Sequence, residues 1–390
     1  MVVFLWLFWV AFFIIFYNYA GYGILLAAIV SIKKIISKKT VDEEPFYLPV
    51  TFLIAAYNEE DFIEQKIKNT LAQDYPADKL EILIITDGSS DRTPEICRQF
   101  SEVKVMHEDA RRGKTAALNR AMKEVTNPVV IFNDANTILN EDAVKNLVKH
   151  YKDPKVGGAS GEKKVVKLDS EDDNVGEGEG LYWKYESFLK KLDSELYTVV
   201  GSAGELFSIR TELYEFVEEN VILDDFIISL RINKKGYRIV YEPEAVAMEN
   251  PSFSMEDEHK RKVRICAGGI QSIIMLKSLL NIFKYPVLSF EYISHRVLRW
   301  TLTPLSLPLI FIANVLLLNV HPYFYKVFFM LQLAFYVAAL LGWYLTKRNI
   351  KFKPFYLPYY FFFMNLAVFQ GFFKFIRGRQ SAVWDKAKRG

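Results

Sequence analysis

Apolar residues are concentrated near the two ends of this chain, while the middle has a mixed pattern. Residues 2–31 are nearly all apolar, and no charged residue precedes Lys33. About 20 such residues are enough for a helix to cross a bilayer, so the pattern predicts a transmembrane helix within residues 1–35. A cleaved signal peptide is the alternative, but its apolar core is only about 7–15 residues long and follows a basic segment.

The middle of the chain alternates apolar strands with amphipathic helices. The pattern predicts buried strands and intervening helices at 48–56, 60–72, 81–86, 93–100, 103–107, 114–124 and 128–133, and a further helix at 182–196. Strands that are apolar throughout are typical of a mostly parallel sheet with helices on both faces. We therefore expect an α/β domain over residues 45–285, with its ligands beyond the carboxyl ends of the strands.

Residues 286–376 form a second apolar region with about three candidate spans. These are residues 301–319, 323–345 and 354–373. The segments 270–283 and 288–300 look amphipathic and suit the membrane interface. We interpret His295–Trp300 as an interfacial anchor, because arginine and tryptophan are common at that depth.

Basic residues flank the apolar segments and predict the orientation. They include Lys33–Lys34, Lys347–Arg348 and a basic tail over residues 377–390. Such clusters usually mark the cytoplasmic side, so we expect a multi-pass protein of the cell membrane with a cytoplasmic α/β domain. One leading and three trailing spans would put the basic tail outside. Either one trailing segment is re-entrant or interfacial, or the rule fails here.

Composition narrows the possible functions. The formal net charge is only +3, which does not favour a nucleic-acid partner. The two cysteines, Cys97 and Cys266, provide neither a zinc motif nor a disulfide framework. The acidic, glycine-rich segment 168–180 is predicted to be a mobile loop.

Acidic clusters follow several predicted strands. They are Tyr57–Asp61, Asp87–Asp91, Asp134–Asn136 and, further along, Asp224–Asp225. An acidic rim repels bare phosphate, so a divalent cation, Mg²⁺ or Mn²⁺, is implied. Asp134 and Asn136 share one face of an extended segment and are candidate ligands. Asp87 is instead a candidate acceptor for hydrogen bonds from a base or ribose.

The order and spacing of these motifs resemble the inverting family 2 glycosyltransferases, which include cellulose, chitin, hyaluronan and poly-N-acetylglucosamine synthases. The resemblance covers about residues 48–270, and its motifs are Ala55–Glu60, Thr86–Thr93, Gly113–Asn119, Asn133–Thr137 and Asp224–Arg231. It implies a GT-A fold beside transmembrane helices and a nucleotide-sugar donor, most simply one linked to UDP.

The resemblance also assigns roles to individual residues. It implies that Tyr57 and Glu59 lie at the nucleotide pocket, that Asp87 holds the uracil and that Lys114 contacts the donor. It further implies that Asp134 and Asn136 bind Mg²⁺ or Mn²⁺ and that Gly204 lies in a loop along the sugar and acceptor. Asp225 is implied to be the catalytic base, beside Asp224, which replaces the usual glutamate. Arg261 or Arg264 is a candidate clamp on the donor phosphates.

One departure from the family pattern concerns the product. Processive synthases carry Gln-x-x-Arg-Trp near the membrane entrance, whereas Arg261–Ile265 keeps the arginine and lacks the glutamine and tryptophan. The expected function is therefore inverting transfer of a sugar to a lipid-linked or growing glycan acceptor at the bilayer. The alternatives are a processive polysaccharide synthase that exports its product, and a non-enzymatic transporter or receptor with an α/β domain.

Overall fold

The structure is a computed structural model that describes residues 1–36, 45–165, 174–251, 254–320, 322–348, 350 and 352–378. Its strands are β1 Val50–Ala56, β2 Leu80–Asp87, β3 Val103–Glu108, β4 Val129–Asp134, β5 Ile138–Leu139, β6 Val156–Val165, β7 Leu206–Arg210 and β8 Arg238–Glu249. The helices before β6 are α1 Val2–Phe16, α2 Tyr22–Ile36, α3 Ile63–Leu71, α4 Thr93–Cys97, α5 Lys114–Ala121 and α6 Ala143–Val148. The later helices are α7 Asn174–Leu196, α8 Asp224–Lys234, α9 Met255–Met275, α10 Pro286–Tyr292, α11 Leu298–Trp300, α12 Leu302–Leu317, α13 Pro322–Lys347 and α14 Lys353–Ile376.

The strands form one mixed, mostly parallel sheet in the order β3-β2-β1-β4-β7-β6-β8-β5. β1 is parallel to β2 and β4, and β2 is parallel to β3. β7 runs antiparallel to β4 and β6. Together with its helices on both faces, this sheet confirms the predicted fold class.

Two apolar cores cover the two faces of the sheet, as the alternation of side chains along a strand requires. In β4, Val130 and Phe132 belong to one core, and Val129 and Ile131 belong to the other. Phe132 stacks on Phe207 of β7 with ring centroids 4.7 Å apart. Packing on both faces fixes the carboxyl ends of β1, β2 and β4 relative to one another.

The sheet has a topological switch point at β1. The chain passes from β1 through α3 to β2 and through α4 to β3, and then returns through α5 to β4 on the other side of β1. When the chain connections on the two sides of a strand run in opposite directions, a crevice opens beyond the carboxyl end of that strand. Tyr57 follows β1 and Asp134 ends β4, the two strands at this point.

Three helical segments among the described residues are long and apolar enough to cross a membrane: Val2–Ile36, Tyr323–Lys347 and Lys353–Ile376. The pair Pro286–Trp300 and Leu302–Leu317 passes the same test together, but it is bent by 54°. A π-helical turn, Tyr17–Gly21, joins α1 to α2.

Two sequence interpretations need correction. Residues 168–173 of the predicted loop lie outside the described part of the chain, but from Asn174 onward the backbone is already helical. The interfacial-anchor interpretation of His295–Trp300 is also wrong. His295 is fully buried and contacts Asp193 at 2.6 Å, and Arg296 contacts Glu186 at 2.5 Å. The two carboxylates lie on α7, about a hundred positions earlier in the sequence. The side chains of His295 and Arg296 are buried because they pair with these carboxylates.

Candidate active site

A cavity of about 250 Å³ lies beyond the carboxyl ends of β1, β2 and β4. Six of the residues predicted from the sequence line it: Tyr57, Glu59, Asp87, Lys114, Asp134 and Asn136. Residues that are up to 79 positions apart by number, from 57 to 136, therefore meet at one site. The crevice predicted at the switch point is this cavity.

Tyr57 forms one wall of the cavity and is covered by an arginine. The guanidinium carbon of Arg111 lies 3.8 Å from the centroid of the Tyr57 ring, a distance suited to a cation–π contact. Asn58 adopts a left-handed conformation, with φ of 52°, which asparagine tolerates better than most residues. Its side-chain oxygen accepts a hydrogen bond from Ser90 N at 2.9 Å. Arg111 was not among the residues predicted from the sequence, although it stands just before the Gly113–Lys114 motif.

Asp87 lines the cavity but is already engaged by the backbone. Its carboxylate accepts hydrogen bonds from Gly113 N at 2.6 Å and from Arg112 N at 3.1 Å. Gly88 has φ of 68°, and a Cβ there would lie 2.6 Å from Arg111 Cβ. Asp87 thus holds in place the loop that carries Arg111 and leads into Lys114. A base contact from Asp87 remains a prediction.

Lys114 is one of the cations that line the cavity. It begins α5, and its Nζ lies 2.6 Å from Asp134 Oδ1 at the end of β4. Burial opposes its charge, but the carboxylates of Asp134 and Asp224 raise the pKa of Lys114 above its ordinary value. Lys114 therefore stays protonated and can offer positive charge to an anionic ligand.

Asp225 lies in the first turn of α8, against the loop that precedes β7. A Cβ at Gly204 would be 3.1 Å from Asp225 Oδ2, so the glycine permits this close approach. Burial and the neighbouring Asp224 raise the pKa of Asp225 to about 7. Asp224 is itself buried, and its Oδ2 has no hydrogen-bond partner among the described residues. Asp225 is thus poised to gain or lose a proton near neutral pH.

The loop Gly201–Glu205 is held from several sides. Ser202 N donates to Ser229 Oγ at 3.2 Å, and Ala203 N donates to Ser160 Oγ at 3.1 Å. Glu205 Oε1 accepts from the buried Lys163 ammonium at 2.5 Å. These bonds anchor the loop to β6 and to α8, the helix that carries Asp225.

The two arginines of α9 differ in their surroundings. Burial lowers the pKa of Arg264, and the carboxylates of Asp224, Asp134 and Asp225 partly oppose this fall. Arg264 thus lies within the electrostatic reach of the acidic group. Arg261 Nε donates to Glu258 Oε2 at 2.9 Å, so part of its guanidinium is used within α9.

A divalent cation would find oxygen ligands at the cavity but not a complete cage. Among the residues that the structure describes, no group of three or more His, Cys, Asp or Glu side chains is arranged to hold a metal ion. Asp134 and Asn136 both line the cavity. Mg²⁺ commonly uses one or two protein ligands together with substrate phosphates and water, so this pair fits a metal that binds with the donor.

A mixed sheet with helices on both faces and a cavity at its switch point corresponds to the GT-A fold. Residues 51–217 match the family model described as glycosyl transferase family 2, and the chain therefore carries a domain of that family. The predicted family is confirmed. Asp224, Asp225 and the α9 arginines lie beyond the matched residues.

Two curated relatives are named as polysaccharide synthases. Poly-beta-1,6-N-acetyl-D-glucosamine synthase of Staphylococcus aureus strain MSSA476 is 30% identical over 259 residues, which are 63% of this chain and 61% of that protein. The chain thus spans about three fifths of the length of that relative. The synthase of the same name from Staphylococcus epidermidis is 25% identical over 369 residues, 87% of each chain.

A solved structure shares the fold over nearly the whole chain. The mannosyltransferase PcManGT of Pyrobaculum calidifontis, in complex with GDP-Man and Mn²⁺, superimposes with a TM-score of 0.65 and 24% identity. The match covers 92% of this chain and 99% of that one. It therefore includes the helices outside the sheet domain as well as the domain itself.

Proposed function

We propose that the protein is an inverting glycosyltransferase that moves a sugar from a nucleotide-diphosphate sugar to a lipid-linked or growing glycan acceptor. The main support is the placement of Asp225, with a pKa of about 7, against the Gly204 loop. A general base works best with a pKa near the operating pH. The names of the staphylococcal relatives favour N-acetylglucosamine as the transferred sugar.

The proposed reaction is one in-line displacement. Asp225 takes the proton of the acceptor hydroxyl, the acceptor oxygen forms a bond to the anomeric carbon, and the bond from that carbon to the diphosphate breaks. One displacement inverts the configuration of the sugar. Lys114 and Arg264 stabilise the charge on the departing diphosphate, which is often the largest contribution to such catalysis. A Mg²⁺ or Mn²⁺ ion held by Asp134 and Asn136 would add further charge neutralisation there.

The donor is tested by incubating purified protein in detergent or nanodiscs with labelled nucleotide sugars and Mg²⁺ or Mn²⁺. We expect UDP-N-acetylglucosamine to be consumed, with release of UDP and a labelled glycan or lipid product. GDP-mannose is the informative comparison, because the Pyrobaculum enzyme was solved with it. Consumption of GDP-mannose alone would reject the UDP assignment, and release of nucleotide from neither donor would argue against the activity.

Asp224 contributes, together with burial, to the pH dependence of the proposed base. Its negative charge raises the pKa of Asp225, so Asp224→Asn should lower that pKa. A base must be deprotonated to act, and the rate should therefore fall on acidification through about pH 7 in the wild type. In Asp224→Asn this acidic limb should move to lower pH. A pH–rate profile under saturating donor checks the shift, and an unmoved limb would separate Asp225 from the titration.

A processive synthase is the second candidate function, and the names of the relatives favour it. The departures from Gln-x-x-Arg-Trp at Arg261–Ile265 favour limited transfer instead. With limited transfer, labelled donor in large excess should yield products with one or a few added sugars. A ladder of long oligomers on a gel or by mass spectrometry would establish the processive alternative.

The protein is proposed to sit in the cell membrane with its sheet domain in the cytoplasm, where nucleotide sugars are available. The basic residues Lys33, Lys34, Lys347 and Arg348 support this orientation, since such residues are enriched on the cytoplasmic side. Lys33 and Lys34 follow the apolar part of the first helix and contact α7 of the sheet domain, through the Glu195 and Leu196 carbonyl oxygens and the Glu195 carboxylate.

A further inference from the structure

We infer that α14 lies along the cytoplasmic membrane interface and does not cross the bilayer, so that Arg377 stays on the same side as the sheet domain. By length and composition α14 is a candidate span, with 24 residues. A helix of that length is about 36 Å long, enough to cross a hydrocarbon core of about 30 Å. Its contacts, not its length, determine its orientation.

The start, middle and end of α14 all contact one helix of the sheet domain. At the start, Tyr356 contacts the sulfur of Met255 in α9. In the middle, the Phe363 ring packs against the His259 ring with centroids 5.0 Å apart. Near the end, a Cβ at Gly371 would lie 2.7 Å from Cys266 Cβ. The two helices therefore run side by side in the same direction.

α9 cannot lie within hydrocarbon. It contains a dense set of charged side chains: Glu256, Asp257, Glu258, Lys260, Arg261, Lys262 and Arg264. Charged groups at the bilayer centre are costly, and the charge of Arg264 interacts with the carboxylates of Asp224, Asp134 and Asp225. α14 packs alongside the charged part of α9. If α14 crossed the bilayer, these charged side chains would therefore lie within the hydrocarbon.

The second half of α14 also packs into the core of the sheet domain. Val368 is a buried member of the core cluster that contains Phe226 and Trp300, and Phe375 packs against the same cluster. A span that entered from the cytoplasm at Lys353 would place Phe375 at the opposite membrane surface. Phe375 packs against a cluster that includes Phe226 and Ile270 of the sheet domain, which argues against that arrangement.

α13 has different contacts. Its first half packs Phe324, Tyr325 and Phe328 against Phe8 of α1. Its second half meets the beginning of α14, where Phe335 contacts Phe361 and a Cβ at Gly342 would contact Phe355 O. α14 thus leaves α13 midway and turns towards the sheet domain, which fits a spanning α13 followed by an interfacial α14.

The outer face of α14 suits the lipid surface. Large apolar side chains cover it: Leu357, Phe362, Leu366, Phe372, Phe373 and Ile376 are all more than 40% exposed. Lys374 and Arg377 are exposed near its end. Interfacial helices bury one apolar face to the depth of the headgroup boundary and keep basic groups in water. With α14 at the interface, basic residues 377–390 and the sheet domain share one side, as the charge rule requires.

Depth measurements test this inference independently of any transferase activity. Single cysteines at exposed positions Leu357, Phe362, Leu366 and Phe373 are spin-labelled in nanodiscs, and collision with oxygen and with a water-soluble nickel chelate reports depth. The control series is Val327, Leu331 and Leu340, exposed positions on α13. The native thiols interfere little, because burial raises the pKa of both Cys97 and Cys266 to about 12.

We expect one common depth near the headgroups for the four α14 positions and a graded depth for the α13 series. A graded series in α14 would overturn the inference. Reporter fusions after residue 390 provide a second reading: green fluorescent protein should fluoresce and alkaline phosphatase should be inactive. Active phosphatase would place α14 across the membrane.

Discussion

Replacing Asp225 by asparagine should lower the rate of sugar transfer by at least about a hundredfold. A positioned general base typically contributes about 10²–10⁴ in rate, and an amide of the same shape cannot take the acceptor proton. The surroundings of Asp225 support that role, since burial and Asp224 raise its pKa to about 7 and Gly204 allows it to approach the loop Gly201–Glu205 closely. Single-turnover rates with saturating donor provide the measurement.

Donor binding should survive the same substitution. Asp225 does not line the cavity formed by Tyr57, Asp87 and Lys114, so the affinity for the nucleotide sugar should change by less than about threefold, a free-energy difference of roughly 0.65 kcal/mol. Calorimetric titration with the donor, or with the free nucleotide, checks this. Asp78→Asn is the matched control, because Asp78 is exposed on a turn before β2.

Two results would contradict the assignment of Asp225. A variant that transfers sugar at the wild-type rate would show that another group accepts the proton. Loss of donor affinity in parallel with the rate would show that Asp225 mainly supports the donor site. In the second case Asp224, whose buried Oδ2 has no partner among the described residues, becomes the next residue to replace.

The sequence was sufficient to predict β1 to β4 and the rim at their carboxyl ends, whereas β5 to β8 were not predicted. β1, β2 and β4 are almost continuously apolar because helices cover both of their faces, and such runs are recognisable without a structure. Tyr57 comes directly after one of these runs, and Asp87 and Asp134 end the other two. Because the strands are parallel, their carboxyl ends lie at one edge of the sheet, and these three residues meet there. Asn136 shares this edge because only Ala135 separates it from Asp134.

Contacts made by the backbone, or between distant segments, could not be predicted in this way. The hydrogen bond from Gly113 N to Asp87 depends on the path of a loop. Nearly every residue has a backbone N–H, so the sequence does not indicate which of them donates to a side chain. The contact of the Arg111 guanidinium with the Tyr57 ring likewise depends on the paths of two separate loops. His295 and Arg296 look like interfacial residues beside an apolar segment, because their partners Asp193 and Glu186 stand about a hundred positions earlier.

Replacing Asp134 by asparagine should reduce kcat/KM for the donor by about 10²–10³, the range found when one electrostatic contact to developing charge is removed. Asp134 combines two roles in the proposal: it pairs with Lys114 at 2.6 Å, and with Asn136 it offers oxygen ligands to a cation. Without its charge the metal concentration that gives half-maximal donor binding should rise at least tenfold. Mn²⁺ titration by electron paramagnetic resonance, with and without nucleotide, measures this directly.

The control for Asp134→Asn is Asp142→Asn, a partly exposed aspartate that pairs with Lys145 at the surface, and its metal and donor affinities should equal those of the wild type. Asn136→Asp tests the same site in the opposite direction, because a second carboxylate should lower the Mn²⁺ concentration required. If Asp134→Asn loses donor affinity equally with and without metal, the residue acts through Lys114 alone. The oxygen pair at the end of β4 would then orient the lysine that meets the diphosphate, and the cation would have to bind elsewhere.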